Sequence, residues 1–286
     1  MAEPDAVLAI QSQVVYGHVG NSAAMLPLQR LGFDVFAVPT VHLAHHPGYG
    51  RWRGFRVQPD LVEEMLAGLE ECSAFPRCAG VLSGYLGAAA IADLVLRAHQ
   101  AVRARRPDAV FLCDPVIGDD DVGVFVAAGI PEVIRERLVP AADVITPNRF
   151  ELAYLAARPV ETREQAVAAA REVRARGPRL VVATGLVFAD RPEEIAVLAE
   201  SATGAWLVTT PRREGVPHGT GDVFSALFLG HYLRTRDARA ALERATAAMF
   251  AVVERTIKAG AGELRLVASQ DDVAVPKHVF RAQRLS

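Results

Sequence analysis

The chain is short of cysteine, of net charge and of long apolar runs, and each shortage closes off a class of function. Its three cysteines (Cys72, Cys78, Cys113) are odd in number and show no metal-ligand spacing among 286 residues. Neither a disulfide framework nor a cysteine metal site is therefore expected, and a reducing, cytoplasmic setting fits. Cys72 and Cys78 have apolar neighbours and are expected in or near the core. The formal net charge is −2 and the pI is near 6.5, so there is no basic field to attract nucleic acid or an anionic membrane. No apolar stretch is long enough to span a bilayer, and Glu3 and Asp5 stand where a signal peptide would be basic. Linkers rich in proline, serine or charge are missing too, as are repeats. Residues 1–286 are accordingly read as a single domain, with a hydrophobic content of 51%, enough for one large core or two small ones.

What the chain does have is a rhythm of strands and helices. Ala6–Ile10 is apolar on both faces, the pattern of a strand buried between two helical layers. A helix follows from Gly20-Asn21-Ser22 to about Leu31, closed by Gly32. Further strands are expected at 35–38, 80–82, 110–113, 144–145 and 180–183, with helices at 60–71, 88–105, from Arg149, and near 161–176. This alternation implies an α/β fold with a mostly parallel central sheet and helices on both faces. The pattern then changes: 195–198 and 205–208 read as a hairpin at one edge, turned by Ala202-Thr203-Gly204, and two long helices close the chain at 221–234 and 238–258. Ligands of such sheets gather beyond the carboxyl ends of the strands, where Gln11-Ser12, Ser83-Gly84-Tyr85, Asp114-Pro115, Thr146-Pro147-Asn148 and Thr184-Gly185 lie.

Gly219-Thr220-Gly221-Asp222 runs straight into the apolar helix 223–230. A glycine-rich loop at a helix N-terminus exposes backbone N–H groups to an anion. A carboxylate at that spot makes chemical sense if it takes a proton from a hydroxyl about to receive a phosphoryl group; taken alone, the same residues also read as a turn and a helix cap. Asp114 ends a buried strand, where a carboxylate is costly without a role, whereas Asp120 and Asp121 read as a solvated loop beyond Asp119. Asn148 and Glu151, three apart at a helix start, allow two readings: waters around a Mg²⁺, or a cap with a favourable first-turn carboxylate. His42, His45 and His46, with Tyr49 and Trp52 close behind, suggest a mobile flap over an aromatic substrate rather than a metal site, because Pro47-Gly48 interrupts any helix.

Taken together, Ile10–Ala24, Leu82-Ser83-Gly84-Tyr85, Cys113-Asp114-Pro115-Val116, Thr146-Pro147-Asn148 with Glu151, and Gly219-Thr220-Gly221-Asp222 resemble the pyridoxal kinase branch of the ribokinase-like superfamily. The resemblance covers nearly the whole chain. It implies a ribokinase-like fold with a short substrate flap and ATP-dependent phosphorylation of the 5′-hydroxymethyl group of pyridoxal and related B6 vitamers. By the same resemblance Asp222 is the general base, and the N–H groups of Gly219, Thr220 and Gly221 stabilise the transferring phosphoryl group. Ser12, Val19, His46, Pro47 and Tyr85 then line the substrate. Asp114, Thr146, Asn148, Glu151 and Thr184 attend ATP, with adenine near 208–214. Mg²⁺ falls near Asp114 and Glu151, and Asp119 lines the nucleotide side, with a candidate place for K⁺ or Na⁺. A homodimer is implied, with the flap near the neighbouring subunit.

The chain departs from that pattern in the flap. Many members read Ser-Asn-His-Thr where this one has Ala44-His45-His46-Pro47, so a ring-contacting threonine is replaced by Pro47, which has no hydroxyl and no N–H. Gly185 stands where a lysine or serine is common. Two alternatives stay open on sequence: a hydroxymethylpyrimidine-type kinase of the same superfamily, and a non-catalytic B6-binding protein. The intact Asp222, Asn148 and Glu151 speak against the second, since a pure binder needs no base.

Overall fold

A computed structural model describes residues 3–285. The first half runs β1 (Ala6–Val14), α1 (Asn21–Arg30), β2 (Asp34–Leu43), β3 (Gly54–Arg56), α2 (Pro59–Glu71), β4 (Cys78–Ser83), α3 (Ile91–Arg105) and β5 (Val110–Cys113). The short strands β6 (Gly118–Asp119) and β7 (Gly123–Val124) follow as a separate hairpin. Next come α4 (Ile130–Val133), a π-helical turn (Ile134–Leu138), α5 (Val139–Ala141), β8 (Val144–Ile145), α6 (Arg149–Ala156) and α7 (Arg163–Arg174). The chain finishes with β9 (Leu180–Leu186), β10 (Glu194–Ser201), β11 (Gly204–Pro211), α8 (Thr220–Thr235), α9 (Ala238–Lys258), α10 (Leu266–Ala274) and β12 (Gln283–Leu285).

Ten strands form one sheet in the order β12-β11-β10-β9-β8-β5-β4-β1-β2-β3. Its centre, from β2 to β9, is parallel; β3 at one edge and β10, β11 and β12 at the other are antiparallel. The parallel run is the expected one, and the 194–211 hairpin is where the pattern changes. Side chains alternate across the pleat, so β1 feeds two cores. Leu8 and Ile10 pack with buried residues of α2, α3 and α7, among them Val62, Val95 and Val173. Val7 and Ala9 pack with Leu28 of α1, Leu227 and Phe228 of α8 and Leu242 of α9. Each fully buried leucine or phenylalanine contributes about 1.5–3 kcal/mol. Because β2 and β4 flank β1 on opposite sides, the strand order reverses there, and a crevice opens at the carboxyl ends of β1 and β4.

Several local expectations need correction. β1 does not stop at Ile10 but continues to Val14, and its register against β2 shifts between Gln11 and Gln13. That irregularity re-aims Ser12, while buried Asn21 donates through Nδ2 to the Gln11 and Val38 carbonyls (3.2 and 3.4 Å). β2 also runs on, to Leu43, because β3 returns beside it through Val41↔Arg56 and Leu43↔Gly54. The flap is this two-stranded ribbon, tipped by a 3₁₀ turn over Pro47–Tyr49. Cys72 is exposed at the end of α2; Cys78 and Cys113 are buried. Among the described residues no helix is long and apolar enough to cross a membrane.

Candidate active site

The N-terminus of α8 meets the turn after β1 at very close range. Gly219 caps the helix with φ +95°, and a Cβ there would fall 1.8 Å from the His18 carbonyl oxygen and 3.4 Å from Val19 Cγ1. Gly20 has φ +55°, and a Cβ there would fall 2.2 Å from both the Ser12 carbonyl and Ser12 Oγ. Only glycine suits either position. The first intrahelical bond of α8 runs from the Val223 N–H to the Gly219 carbonyl (3.0 Å), so the N–H groups of Thr220, Gly221 and Asp222 have no helical partner. Asp222 stands third in the helix, half-buried. Burial pushes its pKa up to about 6, while the backbone N–H groups of Gly20 and Asp222 itself pull it down.

Beside it, three buried polar side chains form a chain of hydrogen bonds. Ser225 Oγ donates to Asp114 Oδ2 at 2.9 Å and lies 2.9 Å from Thr146 Oγ1. With the Ser225 proton given to the carboxylate, Thr146 supplies the donor of the second bond. Asp114 is 7% exposed; burial first, then the charge of Asp222, lifts its pKa to about 8 against the pull of Ser225. Glu151 is also held well above the usual carboxylate range, by burial and then by Asp114, with the N–H groups of Ile117, Asn148 and Gly118 opposing.

Glu151 and Asn148 form a reciprocal cap on α6. The Asn148 side chain accepts from the Glu151 N–H (2.8 Å), and Glu151 Oε2 accepts from the Asn148 N–H (2.9 Å). Asn148 Nδ2 also donates to the Gly118 carbonyl (2.8 Å), tying α6 to the β6–β7 hairpin. Thr184 sits opposite Asn148 in a parallel bridge, its N–H bonded to the Pro147 carbonyl (2.8 Å). Asp119 faces its own hairpin, where Oδ1 accepts from the Asp121 and Val122 N–H groups (3.0 and 2.9 Å). Among the described residues no group of three or more His, Cys, Asp or Glu gathers as a metal cage. Mg²⁺ does not need one, because it keeps several waters and takes one or two carboxylates beside phosphate oxygens. Asp114 and Glu151 fit that demand: they are two buried carboxyls close enough for the charge of Asp114 to act on Glu151, and a cation would favour the ionised form of both.

The flap lies over this edge. The His46 and His218 rings are 4.1 Å apart, centre to centre, at 30°. Burial first, then His218, brings the His46 pKa down to about 4, so at neutral pH the stack contains a neutral imidazole. His46 Nδ1 accepts from the Gly48 N–H (3.0 Å) and starts the turn whose first residue is Pro47, exposed to solvent. Across the crevice, the half-buried Tyr85 presents its carbonyl to Thr40 Oγ1 (2.6 Å).

A family model for phosphomethylpyrimidine kinase matches residues 55–266. The pyridoxal kinase PdxY of Leifsonia xyli subsp. xyli is 46% identical over 280 residues, covering 98% of this chain and 99% of that protein. The structure of the pyridoxal kinase from Leishmania donovani in complex with ADP and ginkgotoxin superposes with a TM-score of 0.93 at 33% identity, covering 99% of this chain and 100% of that one. The same kinase in complex with ADP and pyridoxine gives 0.91 at 34% identity, over 98% and 99%. The chain belongs to the pyridoxal kinase family. The ribokinase-like α/β fold and the kinase activity expected from the sequence both stand.

Within this pyridoxal kinase framework, the predicted residues fall into three connected groups. Ser12, Val19, Gly219 and Asp222 meet where β1 and α8 converge. Asp114, Thr146 and Glu151 are joined by hydrogen bonds through Ser225 and by charge, with Asn148 and Thr184 at their side. His46 and Pro47 belong to the flap. Asp119 follows Gly118, which is bonded to Asn148, and its Oδ1 is engaged in its own turn. Sequence reasoning missed Ser225 and Glu263. Ser225 was open to discovery, since it follows Asp222 by three residues on one helical face. Glu263 sits in a loop with no motif around it, and only the fold brings it to the flap.

Proposed function

We propose that residues 1–286 act as one kinase domain that transfers the γ-phosphoryl group of ATP to the 5′-hydroxymethyl group of pyridoxal, pyridoxine and pyridoxamine. The observation that carries the mechanism is Asp222: a half-buried carboxylate with a pKa near 6, set among helix N-terminal N–H groups that have no helical partner. At neutral pH it is ionised and accepts the proton of the acceptor hydroxyl as the oxygen attacks phosphorus. The N–H groups of Gly219, Thr220 and Gly221 take up the negative charge of the transferring phosphoryl group, since the helix terminus and its orphan donors favour an anion there. Asp114 and Glu151 would hold Mg²⁺, which when bound neutralises phosphate charge. Thr146, Asn148 and Thr184 flank the phosphates, and 208–214 the adenine. Ser12, Val19, Tyr85 and the flap residues His46 and Pro47 enclose the acceptor, excluding water from the transfer.

The experiment is a substrate panel with ATP and Mg²⁺: pyridoxal, pyridoxine, pyridoxamine and hydroxymethylpyrimidine. Phosphorylation of the B6 vitamers is expected; turnover of hydroxymethylpyrimidine alone overturns the assignment of substrate. Asp222→Ala should lower kcat by about 10²–10⁴-fold, the usual range for a lost general base, while calorimetry still detects pyridoxal binding. Unchanged phosphoryl transfer in that variant removes Asp222 from the role of base.

A further inference from the structure

Outside the groups assigned above, one carboxylate gathers three separate segments. Glu263, half-buried in the loop between α9 and α10, accepts through Oε1 from the Tyr49 hydroxyl on the flap tip (2.5 Å) and through Oε2 from the His18 N–H (3.0 Å). The Tyr49 hydroxyl also lies 3.2 Å from the neighbouring Gly262 carbonyl; it has one proton, and the charged carboxylate is the stronger acceptor. Gly17, at φ +94°, leaves the space: a Cβ there would fall 2.6 Å from Glu263 Oε1. His18 in turn presents the carbonyl that abuts Gly219. The flap tip, the turn under the anion loop and the C-terminal loop are thus tied to one side chain.

Beyond hydrogen bonds within the ribbon and from the Tyr16 N–H to the Ala44 carbonyl (2.8 Å), the side chains of the flap tip are braced by rings. Tyr49 meets Tyr16 and His45 edge-on at 5.9 and 5.7 Å, and His46 stacks on His218. Pro47 and Gly48 bring no side-chain donor, and Pro47 has no N–H. A tip so built has few polar ways to stay shut, and Glu263 supplies a charge-assisted one. We propose that Glu263 is a positioning residue: it latches the flap closed through Tyr49 while fixing the Gly17–His18 turn, so that the acceptor site keeps its shape. The proposal rests on the reading that the flap encloses the acceptor alcohol.

Tyr49→Phe removes only the hydroxyl at an exposed position and leaves the fold intact; Glu263→Gln keeps the shape and removes the charge. In both, KM for pyridoxal should rise about tenfold, the scale of one lost hydrogen bond to a charged group, with KM for ATP and the melting temperature unchanged. Hydrogen exchange in peptides covering 44–56 should quicken by a similar factor without any substrate present. The double variant should be no worse than the poorer single one, because both break the same contact. Additive effects, unaltered exchange in the flap, or a shift in melting temperature with no change in KM for pyridoxal would each overturn the latch. A wild-type protein that phosphorylates no B6 vitamer yet shows the exchange difference would instead overturn the reading of the acceptor.

Discussion

The proposed roles of Asp114 and Asp222 differ, and their surroundings push their pKa values apart. Asp222, near 6, is ionised at neutral pH; Asp114, near 8 through burial and the charge of Asp222, is largely protonated there. For activity, kcat/KM for pyridoxal should therefore drop about tenfold per pH unit below about 6. For stability the sign is opposite. A carboxyl whose folded pKa is raised favours the folded state fully below its unfolded pKa, and loses that contribution as pH rises through the folded value. Between about 4 and 6.5 the histidines oppose this. His46 and His231, at about 4, and His99, also lowered, are held neutral by burial, so their contribution grows with pH. Above 6.5 Asp114, near 8, still titrates, and the melting temperature of nucleotide-free, EDTA-treated protein should fall from pH 6.5 to 8. Asp114→Asn should flatten that slope and raise the melting temperature at pH 8 while abolishing activity. A slope unchanged in the variant refutes the assignment of the raised pKa.

At the scale of elements, the cap on α6 answers a question the sequence left even. Asn148 and Glu151 do form a reciprocal cap, yet Glu151 still faces Asp114 closely enough to feel its charge, so cap and ligand are not exclusive. Asn148→Ala removes the acceptor for the Glu151 N–H and the donor to Gly118. A stability loss of about 1 kcal/mol is expected from the cap, read by urea unfolding, together with a higher KM for ATP because the Gly118 hairpin loosens. A loss of stability with KM for ATP unmoved would make the pair purely structural. The same scale shows what sequence could reveal. The central strands announced themselves as apolar runs, and α8 as a glycine loop entering an apolar helix. β3, β6 and β7 carried no such signal: Gly54-Phe55-Arg56 is exposed throughout and the other two have two residues each. Among the described residues β6 and β7 pair only with each other and β3 only with the end of β2, and strands so short leave no apolar period to read. The Gly20–Ser12 and Gly219–His18 approaches are tertiary, although the glycines themselves stood in plain view.

For the whole molecule, the remaining unpaid debt is the flap edge. Among the described residues β3 ends the sheet with a free side, and an open edge invites pairing with another chain unless it is covered. Around it Phe55 is 59% exposed, Trp52 45%, and Tyr16 and Val15, beside the end of β2, 60% and 76%. Val15 and Tyr16 continue the ladder by donating to the Leu43 and Ala44 carbonyls (2.9 and 2.8 Å), and Phe55 leans on His42 at 5.9 Å, so the rim of the sheet at this edge carries exposed apolar side chains. The occupant expected there is a second copy of the chain, packed about a two-fold axis so that each flap abuts the other subunit. Light scattering behind size exclusion should then report two chains of 30.7 kDa per particle. Phe55→Asp places a charge at the centre of the rim; if the aromatic is an anchor, dimer dissociation should strengthen by at least 30-fold, corresponding to about 2 kcal/mol, and monomer should appear at micromolar concentration. Wild-type protein that elutes as a monomer, or a Phe55→Asp variant that stays dimeric at the same dilution, would move the interface away from the flap.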